Sequence, residues 1–185
     1  MTGEAAIFFT TWLKKPLGIA AVLPSGAAVA DACARHIDLS LPGPVLELGA
    51  GTGSLTRGLL RRGCPADRII AVEREPELLR VLREGLPEVR SVSGDATRLG
   101  EILDRLGIDR VAAVLSSLPI KWFPIEAQRA IVEQGLARLA PNGRLLQITN
   151  AFASPLPCRA LGIEGRRIAH VWRNAPPVQV WSYWR

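Results

Sequence analysis

One stretch limits the folds open to this chain more than any other: Val45-Leu46-Glu47-Leu48-Gly49-Ala50-Gly51-Thr52-Gly53. Three apolar residues around a single acid predict a buried strand. The alternating glycines that follow predict a tight turn, whose backbone a ligand can approach with no Cβ in the way. Residues Ser54 to Arg62 then read as a helix. Glu73 ends the apolar run Ile69-Ile70-Ala71-Val72, about 20 residues beyond Gly53, where a doubly wound sheet places the carboxylate that takes a ribose diol. Strand, glycine turn, helix and acid together predict an α/β fold that receives a nucleotide-like ligand.

The glycine spacing narrows the ligand. A dinucleotide fingerprint is G-x-G-x-x-G, but the third glycine here is Gly53, and Ser54 stands where the last glycine should be. The fit to a pyrophosphate is therefore poor. What remains is E-x-G-x-G-x-G, which resembles the first motif of class I S-adenosylmethionine (SAM) methyltransferases. SAM has no phosphate and carries an ammonium and a sulfonium, so it suits a turn entered through Glu47. A third acid, Asp95 in Gly94-Asp95-Ala96, follows a third apolar run. The resemblance implies that Asp95 accepts from the adenine amino group while the Ala96 amide meets a ring nitrogen. An acid at a strand end is also the pattern of a helix cap.

Strand and helix patterns alternate along the rest of the chain. Strands are expected at 45–48, 68–73, 89–93, 110–115 and 144–149, and helices at 54–62, 76–84, 97–106 and 124–139. The rhythm predicts a parallel sheet with helices on both faces. After Gly165 it changes: Arg167 to Trp172 and Val178 to Trp184 are two β-like runs joined through Asn174-Ala175-Pro176-Pro177, a hairpin. The expected fold is a Rossmann-like, mostly parallel seven-stranded sheet with an antiparallel C-terminal edge. Residues 41–185 form its methyltransferase domain and residues 1–40 an N-terminal helical extension.

The chain has 185 residues and a net charge of +6, enough for one hydrophobic core. Lysine occurs only at Lys14, Lys15 and Lys121, so arginine supplies nearly all the basic charge. Arginine grips phosphate with a planar fork, which points to an anionic partner, though high-GC codon usage produces the same bias. Cys33, Cys64 and Cys158 are widely spaced, and His36 and His170 stand far apart. Neither a disulfide framework nor a metal site is expected, and a reducing cytoplasm fits. No signal-peptide pattern opens the sequence, and the uncharged run between Lys15 and Asp31 is too short and too broken by Pro24 and Gly26 to span a bilayer.

The fourth strand should end at Ser116-Ser117-Leu118-Pro119-Ile120, beside the ligand crevice. Enzymes that methylate the amino group of a nucleic acid base place an Asn or Asp there, followed by prolines and an aromatic ring, because an sp² amine needs a carbonyl acceptor and a stacking surface. This chain has Ser117 and Ile120 at those positions. The N-terminal segment Phe9 to Pro16, Val22-Leu23-Pro24-Ser25, the glycine motif, S-x-L-P at Ser116 to Pro119 and Val171-Trp172-Arg173-Asn174-x-Pro176-Pro177 together resemble the short bacterial phospholipid N-methyltransferases, over nearly the full length. That family often has Gly at the position of Ser117.

The resemblance implies SAM-dependent methylation of phosphatidylethanolamine to phosphatidylcholine, with S-adenosylhomocysteine (SAH) as product. It implies a cytoplasmic enzyme held peripherally on the anionic surface of the inner membrane, with no nucleic acid and no metal as partner. Cofactor contacts are expected from Ser25, Glu47, Gly49, Gly51, Thr52, Gly53, Glu73, Arg74, Asp95, Ala96 and Ser116, and acceptor contacts from Ser117, Leu118 and Trp122. Two rivals stand beside this reading: an rRNA adenine dimethylase-like enzyme, and a SAM-fold binding module without catalysis.

Residues 3–15 read as a helix with Phe8, Phe9 and Trp12 on its apolar side and Lys14-Lys15 at its exit, the pattern of a membrane-surface contact and also of a helix packed on its own domain. No residue is a clear general base; Tyr183, water and the lipid phosphate are the candidates. Trp122, Trp172, Trp181, Trp184 and Tyr183 are the rings available for cation–π contact with a methylated ammonium.

Overall fold

The computed structural model describes residues 26–173 and 176–185. The expected helix at 3–15, its membrane-contact residues Phe8, Phe9, Trp12, Lys14 and Lys15, the connector to Pro24 and Ser25 lie outside the described residues. Strand β1 (Val45–Leu48) is buried at every position, as are β2 (Ile69–Glu73) and β4 (Val111–Ser116). Such continuous apolar runs are what strands covered on both faces require. With β3 (Arg90–Ser93), β5 (Leu139–Thr149), β6 (Glu164–Val171) and β7 (Val178–Trp184) they form one seven-stranded sheet of order β3-β2-β1-β4-β5-β7-β6. The first five strands are parallel, and β7 runs antiparallel between β5 and β6.

Helices α1 (Ala27–Ala34), α2 (Ser54–Arg61) and α3 (Pro76–Gly85) contribute Val29, Leu55, Leu59, Leu79 and Leu82 to a core on one face of the sheet. Helices α4 (Leu99–Arg105), α5 (Ile125–Ala137) and α6 (Cys158–Leu161) contribute Leu99, Leu103, Ile131 and Leu161 to a second core on the other. Each of these side chains stabilises the fold by roughly 1.5–3 kcal/mol through burial. Helix α1 lies very close to α2, because Gly58 leaves Ala30 room: a Cβ at position 58 would sit 2.5 Å from that of Ala30.

The alternation read from the sequence is present, with three differences. The fifth strand begins at Leu139, not Arg144; the Pro141-Asn142-Gly143 excursion, with Asn142 at φ +66°, interrupts its pairing between Leu139 opposite Val111 and Arg144 opposite Ala113. Helix α5 accordingly stops at Ala137. Helix α6, four residues long, is too short to leave a periodic signature, and α1 has Gly26 at its N-cap where Ser25 was expected.

The chain leaves β1 for β2 and β3 on one side and returns to β4 on the other. That reversal opens a crevice outside the carboxyl ends of β1 and β4. One arginine fixes the approach to β1: the Arg68 guanidinium donates to the carbonyls of Leu39 (2.7 Å), Leu41 (2.6 Å) and Gly43 (2.7 Å). Arg68→Ala is expected to lower stability in urea by about 2 kcal/mol, since it strips charge-assisted bonds from three carbonyls. Arg68→Lys should recover less than half of the loss, because an ammonium cannot match the planar fork.

Candidate functional site

At the end of β1 the backbone passes through three left-handed glycines, Gly49, Gly51 and Gly53, at φ +73°, +57° and +87°. The turn is stapled to the neighbouring strand, the amides of Gly49 and Ala50 donating to the Val72 carbonyl at 2.9 and 3.2 Å. A Cβ at Gly49 would strike Leu118, whereas nothing lies within 4 Å of the place a Cβ at Gly51 would occupy. Gly51 therefore presents bare backbone to open space, the fit a close-lying ligand needs.

Glu73, at the carboxyl end of β2, spreads its two oxygens over three amides. Oε2 accepts from Gly51 at 2.8 Å, and Oε1 from Arg74 and Glu75 at 2.8 and 2.9 Å. A carboxylate has about four acceptor sites, so this one fixes the glycine turn and keeps capacity for a further donor. Glu47 is fully buried. Its Oε2 accepts from Thr56 Oγ1 at 2.6 Å, while Oε1 has no partner. Burial pushes the Glu47 carboxyl up to about 7 against the opposing Thr56 hydrogen bond, and the charge of Glu73 adds to the rise. The thiol of Cys33 is pushed up to about 12 by burial and then by Glu47.

Asp95 takes both readings open to it. Its Oδ1 accepts from the Thr97 amide and hydroxyl at 2.9 and 2.8 Å and so caps the 3₁₀ turn Ala96–Arg98, while Oδ2 stands 3.6 Å from Arg74 Nη1. Between Glu73 and Asp95 runs a narrow crevice of about 40 Å³, walled also by Gly49, Ala96, Leu118 and Phe123. Small-molecule sites usually exceed about 300 Å³, so the rotatable side chains on this wall give way to any nucleotide-sized occupant.

Other expected site residues fall in different places. Ser117 donates its hydroxyl to the Gly49 carbonyl at 2.6 Å and its amide to Leu48 at 3.1 Å, clasping β1 to β4 beneath the turn. Leu118, expected at the acceptor, lines the cofactor-side crevice, and Ser116 is buried with a hydroxyl that lacks a partner. Thr52 is exposed, its carbonyl accepting from Arg57 at 2.8 Å. Trp122 points outward beside Lys121, whose Nζ is 5.5 Å from the ring centre; the next residue, Phe123, enters the wall instead. The sequence signal for Phe123 was an aromatic three residues beyond Ile120.

Tyr183 is corrected as a general base. It is 1% exposed and bonds Ser154 Oγ at 2.8 Å in the second core; burial raises its phenol well above the ordinary range. Its register partner is Leu145, whereas the crevice end of β5 is Thr149. Trp184, opposite Glu164, also lies at the far end of the sheet. At that far end a wider groove of about 610 Å³ is lined by Arg35, His36, Asp38, Arg144, Arg166 and Arg167. Burial, then Arg144 and Arg35, lower the His36 imidazole. The basic surplus thus concentrates away from the crevice. Among the described residues no group of three or more His, Cys, Asp or Glu is placed to hold a metal.

A sequence profile described as a methyltransferase domain matches residues 45–143. Ornithine lipid N-methyltransferase from Singulisphaera acidiphila is 36% identical over 146 residues, covering 77% of this chain and 76% of that one. Ribosomal RNA small subunit methyltransferase A from Anaeromyxobacter dehalogenans is 41% identical over 101 residues, but these cover 50% of this chain and 34% of that one. The fold superimposes on a glycopeptide N-methyltransferase complexed with SAM (TM-score 0.65, 19% identity, 86% and 93% of the two chains). It also matches TrmN from Thermus thermophilus (TM-score 0.66, 22% identity, 92% and 52%). At these identities the structural matches show the fold.

The raised Glu47 carboxyl links stability to pH. A folded value above the ordinary 4.5 means that the folded state binds the proton more tightly, so the stability present below about 4.5 is lost as pH rises through about 7. Glu47→Gln should therefore be more stable than the wild type at pH 8 by roughly 2–3 kcal/mol, with the gap vanishing near pH 4. Urea melts of both proteins across that range check it; a pH-independent gap would mean that Glu47 is ionised throughout.

Proposed function

The chain belongs to the SAM-dependent methyltransferases, and we propose that within them it methylates the amine of a membrane lipid head group, phosphatidylethanolamine and its mono- and dimethyl forms first among them. Bound SAM supplies an electrophilic methyl group. The glycine turn gives the cofactor bare backbone, Glu73 accepts from the ribose hydroxyls, Glu47 Oε1 serves the methionine end, and Asp95 and Ala96 meet the adenine between Leu118 and Phe123. Positioning an amine about 3 Å from the methyl, in line with the bond that breaks, can replace roughly 7–11 kcal/mol of barrier. With Tyr183 in the core, the amine's proton leaves to water or the lipid phosphate.

The observation that carries the acceptor class is the end of β4. An exocyclic base amine needs a free carbonyl acceptor at Ser117 and a ring at Ile120; the Ser117 hydroxyl is committed to Gly49, and Ile120 is buried at 2% exposure. The relative that covers three quarters of both chains is named for a lipid amine, which favours ornithine lipid as a second acceptor. The rRNA methyltransferase match is confined to half of this chain.

No helix among the described residues is long and apolar enough to cross a membrane, and a diacyl lipid leaves a bilayer at about 0.8 kcal/mol per exposed CH₂. The enzyme therefore works at the surface, with residues 3–15 as the proposed contact.

Labelled SAM offered with phosphatidylethanolamine vesicles, ornithine lipid vesicles and 16S rRNA should label lipid; label in RNA alone overturns the proposal. Glu73→Ala should weaken SAH binding by about 3–6 kcal/mol, 100-fold or more, because bonds to a charged acceptor are lost; calorimetry showing wild-type affinity would remove Glu73 from the cofactor site. Lys14→Glu with Lys15→Glu should weaken sedimentation with anionic vesicles by about 1 kcal/mol per lysine and leave SAH affinity unchanged.

A further inference from the structure

Polar atoms sealed inside a protein nearly always find partners, yet four side chains on one face of β5, β7 and β6 do not. Gln179 is 0% exposed, and neither its Nε2 nor its Oε1 makes a hydrogen bond. Gln147 Oε1, Trp181 Nε1 and His170 Nε2 are buried and unpartnered in the same way. Register gathers them: Trp181 lies opposite Gln147, and Gln179 lies opposite Thr149 on one side and His170 on the other. Residues opposite one another across strands, and those two apart along a strand, share a face. Leaving a buried amide unsatisfied costs about 1–3 kcal/mol, so a set of four orphans at one place is an arrangement for something that binds there.

The set adjoins the cofactor crevice. Gln147 Nε2 donates to the Leu118 carbonyl at 2.9 Å, and Leu118 is part of the crevice wall. Thr149 is the carboxyl end of β5, level with the ends of β1 and β4 where the glycine turn sits. On the outer side the His170 ring is 3.9 Å from that of Trp172 and 6.0 Å from that of Phe152. These two rings are 73% and 65% exposed, so an aromatic rim opens to solvent above a polar floor.

We propose that this floor and rim receive the acceptor's amine; the inference rests on the aminolipid reading above and states where that substrate is held. The amide oxygens of Gln147 and Gln179 accept from an amine N–H, while Trp181 Nε1–H and Gln179 Nε2 donate to an oxygen on the same head group. The set includes no carboxylate. A carboxylate would favour the charged ammonium, which has no lone pair for the methyl, whereas neutral amides hold the amine without fixing its charge. As methyl groups replace N–H donors, the hydrogen bonds to the glutamines fall away, and the faces of Trp172 and Phe152 take over through cation–π attraction. The ligand class is thus a primary amine beside an oxygen acceptor, together with its mono- and dimethylated forms.

The test measures KM and kcat on vesicles of phosphatidylethanolamine and of its dimethyl derivative, with SAH affinity and melting temperature recorded for each protein. Gln179→Leu should raise KM for phosphatidylethanolamine at least about tenfold, leave SAH affinity unchanged, and keep or raise the melting temperature, since it removes two unpartnered polar atoms. A merely structural glutamine would not combine an intact fold with a lost KM. Trp172→Ala, at an exposed position that folding does not depend on, should raise KM more for the dimethyl acceptor than for the unmethylated one, and it decides the matter if Gln179→Leu does not fold. Wild-type KM values in both variants overturn the site while leaving the aminolipid reading intact. A wild-type enzyme that labels neither lipid overturns that reading and the site with it.

Discussion

The carboxylate of Glu73 holds together two parts of the chain that the rest of the site is built around. It draws in the amide of Gly51 from the turn after β1 and the amides of Arg74 and Glu75 from its own strand's exit. Without it the left-handed run of Gly49, Gly51 and Gly53 would be joined to β2 only through the Val72 carbonyl. Donors to an ionised acceptor count for about twice a neutral hydrogen bond. A single charge at the carboxyl end of β2 thus fixes the loop geometry, and through the Ser117 clasp on Gly49 it also fixes the end of β4.

That constraint accounts for the environment of Glu47. Its side chain lies on the side of β1 that faces α2, under the same turn, where Thr56 satisfies one oxygen and nothing satisfies the other. Two carboxylates close to one turn cannot both be neutralised by the backbone donors available, and Glu73 takes them. Glu47 is left with a proton near neutrality, and binding and stability pull on it in opposite directions.

The fold was legible because its strands are continuous apolar runs and its turns are glycines at fixed spacing. The acids Glu47, Glu73 and Asp95 were legible for the same reason, since each ends or lies within such a run. What could not be read was which atoms each acid would meet: that Glu73 would serve Gly51, or that Asp95 would cap its own 3₁₀ turn, depends on side-chain direction. Trp122 and Phe123 are adjacent in sequence, and only the 3₁₀ turn at Ile120–Trp122 decides which enters the wall. Tyr183 was chosen for its chemistry and displaced by its register. His170 and Gln179 were passed over because a polar residue in an edge hairpin reads as solvent-facing until the pairing shows what covers it.

The strand order also shapes how the molecule is made. Strand β6 is synthesised before β7, yet β7 lies between β6 and the rest of the sheet. As the chain leaves the ribosome, residues 164–171 have nowhere to pair until 178–184 follow and insert beside β5. An orphaned strand of that kind is an invitation to neighbouring nascent chains. Glu164, Arg166 and Arg167 sit along its first half, and charges flanking an unpaired hydrophobic strand are what keeps it from joining the wrong sheet. The arginines that line the far groove in the finished protein thereby guard the interval before it is finished.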